Sequence, residues 1–308
     1  MMSQPSTAAV PSPTRIPWAL IALAVIVAVI AAGLSFSTGE ARVWWEVVTL
    51  GIVEGVTEFL PISSTAHLLI IADLLGFKNS IGGTFEIFIQ LGAILAVVGY
   101  YARDLLTQAR AIPTSKPTQQ FWLGILIAFI PAAVIGLTLH KWIKQVLFAS
   151  PAVIAASLIL GGIVLIVIER ISLRTTTTEP EQTTFKQALW IGLAQVTALI
   201  PGVSRSGASI VGGMLAGLDR RSATAFAFYL SIPTLGAATV VDLISNLDLV
   251  TSADLARLLV GAIVSGIVAW ISIGWLLRYV SRNSFVNFGI YRIIAGMLVL
   301  GLVAIGKL

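Results

Sequence analysis

Glu54-Gly-Val-Thr-Glu58-Phe-Leu-Pro61-Ile-Ser63-Ser64-Thr65-Ala-His67 lies inside an otherwise apolar stretch, residues 44–76. A second apolar stretch, 187–217, is interrupted in a similar way by Pro201-Gly-Val-Ser204-Arg205-Ser206-Gly-Ala-Ser209. A proline ends a helix, because it lacks the N–H and its ring clashes with the preceding turn. Hydroxyl residues after it are suited to cap the next helix. Non-helical backbone at membrane depth is tolerated only where protein or a water-filled cavity covers it. Both stretches therefore read as re-entrant helix–break–helix hairpins, entering and leaving on one side.

The rest of the chain supports a membrane setting. Of 308 residues, 57% are hydrophobic and 11% are Asp, Glu, Lys or Arg. Soluble domains carry about 25% charged residues, so a soluble enzyme is excluded, as the mean hydropathy of +0.97 also says. Runs such as Leu20–Ala32 and Leu158–Ile168 are continuously apolar, whereas a transmembrane barrel alternates. The absence of cysteine removes disulfides, thiolate catalysis and cysteine metal sites. The net charge of +5 fits basic cytoplasmic loops, and no nucleic-acid partner is expected. A span needs about 20 apolar residues; candidates are 17–37, 83–101, 121–140, 151–170, 223–242, 256–277 and 288–306.

The two halves of the chain resemble each other. Gly51-Ile-Val-Glu54 and Val56-Thr57-Glu58-Phe59-Leu60-Pro61 align, with one residue skipped, to Gly192-Leu-Ala-Gln195 and Val196-Thr197-Ala198-Leu199-Ile200-Pro201. Ser64 then falls opposite Ser204, and Phe85-Glu-Ile-Phe88 opposite Phe226-Ala-Phe228. With both hairpins re-entrant, each half holds three full spans, an odd number, so the repeats are inverted. The expected fold is an all-α polytopic membrane bundle of two inverted-topology repeats; the alternative is seven to nine ordinary spans. Residues 43–175 form the first repeat and 185–308 the second, with the polar loop 171–184 between their spans. Residues 1–42 are read as a disordered Ser/Pro/Thr-rich start and an extra membrane helix; a signal peptide is the alternative, though the stretch is long for a signal peptide's apolar core. Loops 101–120, 170–187, 218–222 and 278–287 share one side and carry ten Lys or Arg against six on the other. By the positive-inside rule that side is cytoplasmic.

Ionisable groups inside a membrane segment are expensive and point to function. Here they are Glu54, Glu58, Glu86 and Arg205, with Arg292 near an edge. Glu54 and Glu58, four apart, share a helical face. Such a pair could hold Mg²⁺ or Ca²⁺, or one carboxylate could act as a general base. Ser63, Ser64 and Thr65 sit at cap positions, where free N–H groups and the helix dipole suit phosphate. His67, three residues after Ser64, can pair with it as nucleophile and base, or as nucleophile and acid. Arg205, among Ser204, Ser206 and Ser209, matches phosphate bidentately. If the inverted repeats bring both breaks together near the midplane, phosphate with a divalent cation is the simplest occupant.

These residues carry a resemblance. Glu54 to His67 together with Pro201 to Ser209 is similar to the two signatures of the undecaprenyl-diphosphatase family, also called bacitracin-resistance proteins. The similarity covers residues 43–308, with Ser209 where the family usually has Thr and Ala66 where Gly is common. It implies hydrolysis of undecaprenyl diphosphate in the bacterial plasma membrane, with the active site opening to the periplasmic side. That reaction recycles the peptidoglycan lipid carrier and confers bacitracin resistance. Carried over by motif, Glu54 and Glu58 would bind the divalent metal and activate the attacking group. Ser64 would be nucleophile or phosphate ligand, and His67 acid or base. Arg205 with Ser204, Ser206 and Ser209 would neutralise the diphosphate, to which Ser63 and Thr65 also belong. Glu86 and Gln90, on a neighbouring span, are candidates to line the pocket. The sequence leaves serine attack and metal-bound hydroxide both open, favouring Ser64, and leaves a homo-oligomer open. A competing class is a flippase for a polyprenyl phosphate, which needs the same anion site. The other lipid-phosphatase motif, Ser-Arg-x5-His, is absent, because no histidine follows Ser204-Arg205 at that spacing.

Overall fold

The computed structural model describes residues 41–77, 84–139, 142–143, 150–246 and 252–308. The extra helix expected at 17–37 lies outside them. Among the described residues there are eleven α-helices and no strand. They are α1 (Ala41–Thr57), α2 (Ser64–Leu75), α3 (Thr84–Tyr100), α4 (Ala102–Ala111), α5 (Lys116–Thr138) and α6 (Pro151–Arg170). After the interhalf loop come α7 (Phe185–Val196), α8 (Arg205–Leu215), α9 (Arg220–Asn246), α10 (Ser252–Val280) and α11 (Val286–Ala304).

Among the described residues, five helices are long and apolar enough to cross a membrane: α5, α6, α11 and most of α9 and α10. A sixth span is formed if α3 and α4, bent by 68° at Tyr101, count as one. The protein is a multi-pass membrane protein. Local sequence accounts for the helix starts. Ser115 and Ser150 cap α5 and α6, accepting from the N–H of Thr118 and Val153 ahead of a proline in the first turn, where proline costs nothing. Thr184 and Gln187 form a reciprocal capping box at α7.

Residues 102–111, read as loop from the sequence, form α4. The segment is charged, which hid it from an apolar criterion. Asp104 in its first turn and Arg110 in its last complement the helix dipole.

The long helices hold the broken ones. Helix α10 packs along both α1 and α3, and α5 packs along α7 and α9, so the helix before the first break is held by the second half and the helix before the second break by the first. Helix α3 also meets α9, and α6 meets α11. Small residues allow these approaches, as in other membrane helix pairs. A methyl on Gly55 would lie 2.5 Å from the Ser265 carbonyl oxygen of α10, and one on Gly192 2.5 Å from the Ala128 carbonyl oxygen of α5. One on Gly92 would lie 1.8 Å from the carbonyl oxygen of Ala262. These close approaches bury Phe59 to Ser64 of the first break and Pro201, Gly202 and Ser204 of the second.

Candidate active site

Helix α1 ends at Thr57 with Glu54 on its buried face, and Glu58 follows directly; both are buried. The chain then turns through Phe59–Ile62 to Ser63, the N-cap of α2, whose hydroxyl accepts from Ala66 N–H at 3.4 Å. In the second half, Ser204 is the N-cap of α8 and accepts from Gly207 N–H at 3.1 Å. Ser63 and Ser204 have φ of 72° and 76°, and no other non-glycine residue among those described has a positive φ.

Two caps in one conformation correct the sequence register. Ser204 corresponds to Ser63, not to Ser64, and Arg205 takes the place of Ser64. The second break runs Pro201-Gly202-Val203-Ser204 where the first runs Pro61-Ile62-Ser63. Gly202, at φ 94°, accommodates the added residue, so counting from the prolines slips by one.

The structure joins three of the expected residues directly. Ser64 Oγ donates to Glu58 Oε2 at 2.5 Å. Arg205 Nη2 donates to Glu58 Oε1 at 2.7 Å, an ion pair with both side chains nearly buried. Arg205 is also tied to the Ala227 carbonyl at 3.1 Å, and its guanidinium lies 5.8 Å from the Phe59 ring centroid. Glu58 thus touches the candidate nucleophile with one oxygen and the cation of the other half with the second.

Glu54 is fully buried, and neither carboxylate oxygen has a hydrogen-bond partner in the structure. Orphaned buried oxygens beside a second carboxylate suit a hard divalent cation, which takes oxygen ligands. Among the described residues no group of three or more His, Cys, Asp or Glu side chains could hold a metal. Glu54 and Glu58 would therefore be a two-carboxylate set, of the kind that Mg²⁺ completes with phosphate and water oxygens.

His67 is placed differently from expectation. Its Nδ1 lies 2.7 Å from the Ser63 carbonyl oxygen and its Nε2 2.7 Å from the Tyr291 hydroxyl, with the two rings stacked. A carbonyl only accepts, so Nδ1 carries the hydrogen and Nε2 faces the phenol. The expected Ser64–His67 pair does not form. Sharing a helical face brought the two residues near, but the Ser64 hydroxyl turns back to Glu58.

The remaining hydroxyls are engaged within the protein. Ser206 donates to the Leu60 carbonyl at 2.8 Å and meets Ser204 Oγ at 3.1 Å, linking the two breaks. Ser209 donates to Gln195 Oε1 at 3.3 Å, and Gln195 donates to Thr234 at 3.4 Å. Ser206 and Ser209 are wholly buried, as is Glu54. Thr65 is half-buried at the start of α2, and Gln90 half-buried on α3 one turn after Glu86.

Sequence reasoning missed two residues. Tyr291, the partner of His67, gives no signal in an apolar span. Arg292 was noticed as ionisable but placed near an edge; it is 1% exposed, and its hydrogen bonds reach Pro61 of one break and Gly202 and Val203 of the other.

The family model described as Bacitracin resistance protein BacA matches residues 47–298. Curated relatives cover most of the chain. An undecaprenyl-diphosphatase of Albidiferax ferrireducens is 49% identical over 255 residues, covering 82% of this chain and 92% of the relative. Undecaprenyl-diphosphatase 1 of Mesorhizobium japonicum is 45% identical, with 86% of this chain and 98% of the relative covered. An undecaprenyl-diphosphatase of Deinococcus radiodurans is also 45% identical, with 86% and 97% covered.

Proposed function

Since the chain belongs to the bacitracin resistance protein family, we propose that it hydrolyses undecaprenyl diphosphate to undecaprenyl phosphate and inorganic phosphate. The observation that carries the reaction is the hydrogen bond from Ser64 Oγ to Glu58 Oε2 at 2.5 Å, with Arg205 on the other oxygen of the same carboxylate. Ser64 Oγ attacks the terminal phosphorus while Glu58 takes its proton. The bond to the bridging oxygen breaks, and undecaprenyl phosphate leaves as an anion that needs little protonation. Water then attacks the phosphoserine and gives a proton to the Glu54 carboxylate, while Glu58 returns its proton to Ser64 Oγ as the P–Oγ bond breaks, releasing phosphate and restoring Ser64. Arg205 and the N-terminal ends of α2 and α8 bear the growing charge. A divalent cation held by Glu54 and Glu58 would supply further neutralisation of the diphosphate. His67, fixed on Ser63 and Tyr291, orients the start of α2 beside the nucleophile.

The architecture proposed with this activity is a pair of inverted repeats whose hairpins are re-entrant. At about 1.5 Å per residue, helices α2, α7 and α8 reach roughly 16–18 Å, short of the ~30 Å apolar core. The corresponding packing of α1 on α10 and α7 on α5 supports the repeat. The excess of Lys and Arg in the loops at 101–120, 170–187, 218–222 and 278–287 supports an inner-membrane orientation with the site opening to the periplasm. There the enzyme would return lipid carrier to peptidoglycan synthesis and leave less target for bacitracin. The flippase reading is not favoured, because a serine bonded to a carboxylate is more than anion recognition needs.

The test is phosphate release from undecaprenyl diphosphate by the purified protein in detergent, with and without chelator. Turnover lost in Glu58→Ala and Arg205→Ala is expected; a wild-type protein that binds but never cleaves the lipid refutes the proposal. Trapping labelled phosphate on wild type but not on Ser64→Ala supports serine attack, and full activity of Ser64→Ala excludes it.

A further inference from the structure

Arg292 on α11 makes five hydrogen bonds, and every acceptor is a backbone carbonyl. Nη1 donates to Pro61 at 3.1 Å and Val203 at 2.9 Å, Nη2 to Gly202 at 2.8 Å and Ser157 at 3.0 Å, and Nε to Leu158 at 3.3 Å. Two acceptors belong to α6 and three to the breaks, one in the first half and two in the second. None is a carboxylate. A buried guanidinium is usually matched by an acid; this one is spent on loop backbone instead.

The consequence follows from peptide geometry. In a planar trans peptide the C=O and N–H point in opposite directions. Turning the Val203 carbonyl to Arg292 therefore turns the Ser204 N–H away from it, at the N-terminal end of α8, whose first-turn N–H groups have no helical acceptor. Ser63 and Ser204 are held at positive φ, a region that non-glycine residues avoid and that persists where surroundings over-determine it. Arg292 grips carbonyls just ahead of both residues: Pro61, two positions before Ser63, and Gly202 and Val203, directly before Ser204. Helix α6 leaves room for this group through its glycines, since a methyl on Gly161 would lie 2.0 Å from Arg292 Nη2.

We propose that Arg292 is a positioning residue for phosphate transfer: it holds the carbonyls of both breaks on one guanidinium, so that the N–H ends of α2 and α8 face the diphosphate together. The inference rests on the reading above, in which the breaks bind the diphosphate. It requires the planar five-donor fork. A lysine keeps the charge but offers three donors from a single point, too few for five carbonyls.

The experiment compares wild type, Arg292→Lys and Gly161→Ala, purified in detergent, with kcat and KM for undecaprenyl diphosphate referred to monodisperse protein. Gly161→Ala leaves Arg292, its charge and both breaks in the sequence, favours helix in α6, and pushes only on the guanidinium. Both variants are expected to lose about a hundred-fold in kcat, the scale of losing a preorganised oxyanion donor, with a smaller change in KM. A merely structural role would lower the thermal midpoint and the yield but leave kcat per folded molecule unchanged. Wild-type kcat in either folded variant overturns the proposal. A wild-type protein without turnover overturns the phosphatase reading instead, so the two failures are distinguishable.

Discussion

Replacing Glu58 by glutamine keeps the volume of the side chain and removes its second acceptor. Glu58 now accepts from Ser64 Oγ at 2.5 Å on one oxygen and from Arg205 Nη2 at 2.7 Å on the other. An amide has one oxygen. If that oxygen stays on Arg205, the NH₂ must donate to Ser64 Oγ, turning the serine hydrogen outward and leaving the nucleophile without a base. If it stays on Ser64, two donors face each other at Arg205. The first arrangement keeps both contacts and is expected. A lost general base costs about 10²–10⁴ in kcat, or about 2.7–5.5 kcal/mol of transition-state stabilisation. Ser64→Ala should cost a similar factor, and the Glu58→Gln/Ser64→Ala double variant little more than the worse single one, because residues that act as a unit are not additive. The assay is phosphate release from undecaprenyl diphosphate at saturating substrate for all four proteins. Glu58→Gln within about threefold of wild-type kcat, far below the expected range, would refute the assignment of Glu58 as base. So would single losses that multiply in the double variant.

Other substitutions separate site from scaffold. Tyr291→Phe removes the hydrogen bond to His67 Nε2, worth about 0.5–1.5 kcal/mol; kcat should fall by up to about tenfold, and unchanged turnover would mean that the His67 ring needs no second anchor. Gln195→Ala strands the buried Ser209 hydroxyl, while Thr234 keeps its bond to the Leu230 carbonyl, at about 1–3 kcal/mol of stability. Thermal unfolding should move while kcat per folded molecule holds, and the reverse pattern would return Ser209 to the substrate. Gly92→Ala sets a methyl 1.8 Å from the Ala262 carbonyl oxygen, so α3 must move off α10 at about 1–3 kcal/mol, the usual cost of overpacking. An unchanged unfolding midpoint would show that the helices can part without cost.

The helical architecture was legible because lipid imposes a strong rule on the chain. Continuous apolar runs can only be spans, and Pro61 and Pro201 with their polar neighbours mark where backbone leaves the helix. Glu54, Glu58, Ser64 and Arg205 stood out for the same reason: in an apolar setting a carboxylate or guanidinium needs a purpose. What the sequence hid depends on details of one or two residues. Ser64 and Ser204 align by counting from proline, yet Gly202 at positive φ absorbs a residue and makes Ser63 the true counterpart. His67 shares a face with Ser64, but which group each bonds is settled by hydroxyl and ring rotations that no spacing encodes. Arg292 was readable as a charge in a span, while its partners, carbonyls from three separate segments, leave no trace in composition.

The register correction also explains how labour divides between the halves. Once Ser63 and Ser204 are the matched caps, the first residue of the following helix is Ser64 in one half and Arg205 in the other. The same backbone position thus presents a hydroxyl from α2 and a cation from α8, and both close on Glu58. One turn before the break, Glu54 stands where the second half has Gln195, and Gln195 is bonded to Ser209 and Thr234 rather than left open. Two orphaned carboxylates facing each other across the breaks would repel and would need two cations. Changing one to a neutral amide that satisfies its own neighbours avoids that cost and makes the second half scaffold and countercharge. Since α10 holds the helix before the first break and α5 the helix before the second, and Arg292 grips both breaks, a change in either half reaches Glu58. The candidate site is therefore a property of the joined pair, with the proposed reacting oxygen and base from one half and the Arg205 charge on that same carboxylate from the other.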